Sequence, residues 1–183
     1  MVKMIFVLIS LFYSSFLFSF TTKKVYDEAN KGEYYRTKGN IVPSQKLAYE
    51  GIKELDVNLV KYLRQNRDPF YFILVEFRGN GLFLLEESKS LTLIIDGRPY
   101  SYNLYQKPKI VQLPKFSEET GWYKIQDGLP FMLAEAKEVK IKLKGKIITL
   151  EENLTKENLD VFKYFLYTYI LKEQQRKEFK LKK

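Results

Sequence analysis

The side chains able to do chemistry in this chain are carboxylates, lysines and tyrosines, because its 183 residues include neither a histidine nor a cysteine. That double absence removes the usual general base near neutral pH, the commonest metal ligand and every Ser-His or Cys-His nucleophile system. A pair of carboxylates remains able to cleave a glycosidic bond. The Asp and Glu residues are nevertheless plentiful and scattered, and no spacing sets one pair apart. The residues therefore point to a protein that is not an enzyme, with no catalytic residue, no metal and no cofactor. Asp96, in Asp96-Gly97, is turn chemistry, because this dipeptide tolerates positive φ at both central positions of a type I′ turn. Gly79-Asn80-Gly81 invites comparison with a phosphate loop, but no third glycine or helix start follows it, and it reads as a turn.

Binding chemistry is better represented than catalysis. The formal charge is +9, and two segments concentrate it. In Val139 to Leu143 the apolar Val139, Ile141 and Leu143 alternate with Lys140 and Lys142, and the series continues through Lys144 and Lys146, so that one face is core and the other lysine. The tail after Leu171 carries Arg176, Lys177 and Lys180 among Phe179 and Leu181. These seven cations are candidate contacts for an anionic partner: an acidic glycan, an anionic membrane surface or an acidic protein. The lysine stripe also solubilises a sheet and discourages edge pairing. Aromatic residues are 16% of the chain, and exposed ones can stack on sugar rings. Tyr100, Tyr102 and Trp122 are the candidate aromatic contacts, with Tyr105 and Tyr123 also of interest.

The elements that must position these residues are mostly strands. Residues 21–45 have few aliphatics and no sustained period, and read as an extended lead-in across the surface. From Ile52 to Gln65 two periods compete: Ile52, Leu55, Leu59, Val60 and Leu63 suit a helix, whereas Leu55, Val57 and Leu59 alternate. A helix is the expectation there. Phe70 to Phe77 is an apolar, aromatic run expected to be a strand buried on both faces, with Leu82 to Leu85 returning as the second arm of a hairpin. Hairpins follow at Leu91 to Tyr102 and at Val139 to Leu150. Asp127 is placed to cap a short helix with Leu129, Met132, Leu133 and Ala136 on one face and Pro130 in its first turn. Thr155 is placed to cap a C-terminal helix, stapled by Leu154 and Leu159 and apolar along Leu159, Phe162, Phe165, Leu166, Tyr169 and Ile170. The fold expected is α+β: a β-rich antiparallel sheet or sandwich, its body from about Phe70 to Leu150, with a short helix and a packed C-terminal helix, residues 46–183 making one domain.

The first twenty residues carry an address. Met4 to Phe20 holds no charge, Lys3 precedes it and Lys23 and Lys24 follow, as in a signal peptide or an uncleaved N-terminal anchor. An uncleaved segment 4–22 would contact the membrane. Export redirects the basic charge away from nucleic acid, and the missing cysteine leaves no acylation site for a bacterial lipoprotein and no disulfide to staple the fold. The sequon Asn153-Leu154-Thr155 is better explained by the cap at Thr155. The expectation is an exported bacterial envelope or surface protein, periplasmic or at the cell surface, that binds another macromolecule without catalysis. The alternatives are a structural or accessory subunit of an envelope complex and a carboxylate-based glycan hydrolase.

Overall fold

The computed structural model describes residues 21–27, 32–64 and 68–171. The leader 1–20 and the tail residues Arg176, Lys177 and Lys180 lie outside the described residues. Two antiparallel sheets share one core. The first seven strands are β1 (Thr21–Asp27), β2 (Gly32–Lys38), β3 (Ile52–Arg64), β4 (Phe70–Gly79), β5 (Leu91–Ile95), β6 (Arg98–Tyr102) and β7 (Lys109–Leu113). Strands β8 (Phe116–Ile125), β9 (Val139–Lys144) and β10 (Thr149–Asn153) complete the set. Six strands order as β1-β2-β3-β4-β8-β7 and four as β10-β9-β5-β6. Three helices, α1 (Gln45–Tyr49), α2 (Leu129–Glu135) and α3 (Lys156–Phe165), interrupt them, and α3 continues as a π-helical turn, Leu166–Leu171. This is the expected α+β architecture, an antiparallel β body with a C-terminal helix packed on it.

The core joins the inner faces of both sheets: Leu55, Val57, Leu59, Ile73, Val75 and Phe77 of the larger sheet meet Leu91, Leu93, Ile95, Val139, Ile141 and Leu143 of the smaller, and Phe162, Phe165, Leu166 and Ile170 close one side. Phe77 and Phe83 stack with centroids 4.3 Å apart at the centre of this packing. The hairpin of β5 and β6 turns at Asp96 and Gly97, both at positive φ, as the type I′ reading required. Asp96 adds a second service, since its Oδ1 accepts the amides of Lys137 and Glu138 and so pins the start of β9. Thr155 caps α3 as expected: its hydroxyl accepts the Asn158 amide, and Asn158 Oδ1 accepts the Thr155 amide in return.

Four expectations are corrected. Residues 52–64 form a strand, because the alternation of Leu55, Val57 and Leu59 places them on the core while β2 and β4 occupy both edges; sheet neighbours outweighed the helical period. Residues 21–27 and 32–38 do not run across the surface as a lead-in but pair as β1 and β2 at the edge of the six-stranded sheet. Leu82 to Leu85 does not return against β4, whose edges are taken by β3 and β8; it crosses instead to the smaller sheet, where Leu85 bridges Gly145. The residue at the N-cap of α2 is Gly128, not Asp127; Met132 faces outward and Ala136 is the C-cap, while Leu129, Leu133 and Ala134 are the buried positions. Among the described residues no helix is long and apolar enough to cross a membrane.

Candidate functional site

Strand alternation builds a second surface on the outer face of the six-stranded sheet. Asp56, Asn58, Val60, Tyr62 and Arg64 of β3 share that face with Phe70, Phe72, Leu74, Glu76 and Arg78 of β4 and with Glu118, Thr120, Trp122 and Lys124 of β8, as the register requires. One end of this face is ionic and the other aromatic.

At the ionic end Arg78 reaches Asp56 at 3.3 Å, Glu54 at 3.4 Å, Glu76 at 3.6 Å and Glu118 at 3.6 Å. Glu76 also accepts from Arg36 at 3.1 Å and from Asn58 Nδ2 at 3.1 Å, and Asn58 Oδ1 accepts from Thr37. Burial, only partly offset by Arg78, pushes the Asp56 carboxyl above its ordinary value. Burial works against the Arg78 guanidinium, yet Glu76, Asp56 and Glu118 together hold its proton more tightly than usual. Each of these carboxylates is tied to a guanidinium, so the cluster reads as a network that fixes strand register rather than as a carboxylate pair aimed at a substrate.

At the aromatic end the sheet curls into a trough of about 660 Å³. Tyr62, Phe70, Phe72 and Trp122 supply its floor, Tyr34 and Val25 rise on the β1–β2 side, and Tyr105 closes the other side from the loop after β6. The rings order one another: Tyr34 lies over Tyr62 with centroids 6.1 Å apart, and Trp122 meets Tyr34 and Phe72 edge-on at 5.6 and 5.7 Å. Tyr105 meets Phe72 edge-on at 5.2 Å, held there by its amide donating to the Trp122 carbonyl at 2.7 Å. Gly32 leaves room for the Tyr62 ring, since a Cβ there would lie 2.6 Å from the phenol oxygen and the ring would have to shift.

Two cations stand among these rings. The Lys124 ammonium is 4.3 Å from the Phe70 centroid, and the Arg64 guanidinium is about 6 Å from both Tyr62 and Phe70. Arg64 Nε is buried with no hydrogen-bond partner among the described residues, a position that favours any ligand oxygen toward which the guanidinium can turn. Among the described residues the lining contains one carboxylate, Asp27, which accepts the Tyr62 hydroxyl at 2.9 Å. Burial and that bond both hold the Tyr62 proton more tightly than in a free tyrosine. The described residues of the trough thus offer ring faces, hydroxyl groups and two cations beside one carboxylate.

The sequence-derived candidates divide. Trp122 and Tyr105 line the trough, whereas Tyr123, one residue along, is buried on the opposite face against Ser90. Tyr100 and Tyr102 pack on the main core from β6. Lys140 and Lys142 both reach Glu151, at 3.1 and 3.7 Å, and Lys144 reaches Glu86 at 2.7 Å. Three of the four stripe lysines are therefore paired at the surface, and Lys146 is exposed beyond them. Among the described residues, Trp122 and Tyr105 meet at the trough, while Tyr100, Tyr102 and the four stripe lysines do not line it. Arg64, Tyr62, Phe70, Phe72 and Lys124 were not singled out. The signal was the repeated i, i+2 spacing of Tyr62 with Arg64, Phe70 with Phe72 and Trp122 with Lys124, hidden by the helical reading of β3.

Compared with known proteins, the chain matches no family model, no curated protein and no solved structure. The class is defined by fold and site alone: an α+β protein of two antiparallel sheets with an aromatic, cationic trough on the outer face of the larger one.

Proposed function

We propose that this chain is an exported envelope or surface protein that binds an acidic glycan without cleaving it, seating one or two sugar rings in the trough. The observation that carries the reading is the placement of Arg64 and Lys124 among Tyr62, Phe70, Phe72 and Trp122. Aromatic faces pack against the C–H faces of a pyranose, and a guanidinium beside them takes a carboxylate through paired N–H bonds. The volume lies in the range of small-ligand sites. Among the described residues one carboxylate, Asp27, lines the trough, and its bond to the Tyr62 hydroxyl supports a binding role for it, whereas hydrolysis needs two facing carboxyl groups. Support for export is the uncharged stretch Met4 to Phe20 behind Lys3 together with the absence of cysteine.

Trp122 is the only tryptophan of the chain, so intrinsic fluorescence reports on the trough directly. The full chain titrated with an oligogalacturonate is expected to change its emission, while a neutral oligosaccharide of the same length leaves it unchanged. The response is expected to weaken with salt and to fall at least tenfold in affinity in Arg64→Gln, about the worth of one charge-assisted bond. Equal responses to the acidic and neutral sugars, or none to either, would overturn the reading.

A further inference from the structure

A second surface lies away from the trough, at the tip of the hairpin made by β7 and β8. Strand β7 is the edge of its sheet, and every one of its residues is exposed. Ile110, Val111, Leu113 and Phe116 are 44%, 37%, 48% and 42% exposed, a concentration of large apolar side chains around the Pro114-Lys115 turn. The register puts Val111, Leu113 and Phe116 on one face, Leu113 directly opposite Phe116. No acidic residue occurs from Tyr105 to Ser117, whereas Lys107, Lys109 and Lys115 do, all three exposed. Glu118 lies opposite Val111 on the same face and borders the patch, held by Arg78 at 3.6 Å, while Glu119, on the other face, takes the amides of Leu84 and Leu85.

We infer that this hairpin docks the protein on an anionic lipid surface, Leu113 and Phe116 entering the interface and Lys107, Lys109 and Lys115 holding the headgroups. An apolar tip beside like-charged lysines is poorly suited to a second copy of the same tip, because the lysines repel, and it suits a surface that is apolar beneath and negative above. Proline at the turn and lysine along the strand also discourage addition of another strand to the free edge of β7. The inference does not rest on the trough: Leu113 and Phe116 are not among its lining residues, and Trp122 and Lys124, which are, lie further along β8 beyond the Glu118–Arg78 contact.

The absence of cysteine makes the test specific. Leu113→Cys in the full chain, labelled with an environment-sensitive fluorophore, reports on the tip alone, whatever residues 4–22 do. With vesicles of phosphatidylcholine and phosphatidylglycerol the emission is expected to shift to the blue and to be quenched by brominated acyl chains. Vesicles of phosphatidylcholine alone should give no shift, and a label at Ser101, on exposed β6, should report none with either. Replacing Lys107, Lys109 and Lys115 by Gln is expected to raise the anionic lipid needed for half the shift on the order of 100-fold, at about fivefold per lysine. An unchanged label at 113 on vesicles that the chain nonetheless binds would overturn the inference. So would a shift that grows with protein concentration in the absence of lipid, which would mark strand addition between copies. All substituted positions are exposed, and a thermal melt matching the parent chain checks that the fold is intact.

Discussion

Glu119 is the polar staple between the two sheets, and its replacement by Gln isolates one oxygen atom. The side chain is buried on the inner face of β8, where Oε1 accepts the Leu85 amide at 2.6 Å and Oε2 the Leu84 amide at 2.7 Å. Those amides belong to the segment that crosses to the smaller sheet: the Leu84 carbonyl accepts the Lys146 amide, and the Glu86 amide donates to the Lys144 carbonyl. Leu84 itself sits at φ 57, a left-handed conformation that bonds on both sides of its peptide hold in place. Glu119→Gln keeps the volume and one acceptor, but points an NH₂ at the other amide. A charge-assisted bond contributes about 1.5–3 kcal/mol, and a stranded buried N–H costs about 1–3 kcal/mol, the two overlapping because the same group is involved. The expected loss is roughly 3–4 kcal/mol, a large part of the roughly 5–15 kcal/mol that holds a typical domain. For a chain of this size that lowers Tm by about 10 °C. Urea unfolding followed by far-UV circular dichroism measures it, with the midpoint falling and the slope unchanged. A loss below about 1 kcal/mol would refute the reasoning, because it would mean that the Leu84 and Leu85 amides find other acceptors without cost.

Three further outcomes are expected. Asn158→Ala strands the Asn40 Oδ1 and Ile41 carbonyl, which Asn158 Nδ2 serves at 2.7 and 2.9 Å, and removes half of the α3 capping box. A loss of roughly 3 kcal/mol in denaturant unfolding is expected, and a near-neutral result would show that water reaches this buried site. Gly79→Ala places a Cβ on the Gly51 carbonyl oxygen and 2.7 Å from Ile52 Cα, where backbone and not a flexible side chain must move. More than about 2 kcal/mol of stability should disappear, read as a drop in the midpoint of thermal unfolding. Asp56 sets a pH dependence of defined sign. Its folded carboxyl titrates above the unfolded value, so the folded state binds the extra proton; this contribution is present at low pH and is lost as pH rises through the raised folded value. The parent chain should therefore gain stability relative to Asp56→Asn as pH falls from 7 toward 4, and parallel stability–pH curves would show that the carboxyl is not perturbed.

Elements whose signal is local were legible in the sequence. Asp96-Gly97 specifies its turn because few residues tolerate two successive positive φ values, and Thr155 with Asn158 specifies a helix start because their side chains answer the first free amides. The alternation of Val139, Ile141 and Leu143 with lysines was equally plain, since strand period and burial coincide there. Residues 52–64 were not legible: both periods were present, and only the neighbours β2 and β4 made the alternating one pay. The uncharged stretch, the absence of histidine and cysteine, the basic balance and the class of fold were determined by the sequence itself, because composition and short-range pattern carry them. The trough was decided by tertiary structure alone. Tyr34, Tyr62, Phe72, Tyr105 and Trp122 are brought together across four strands and a loop by register, and register is a relation between segments that no one segment contains.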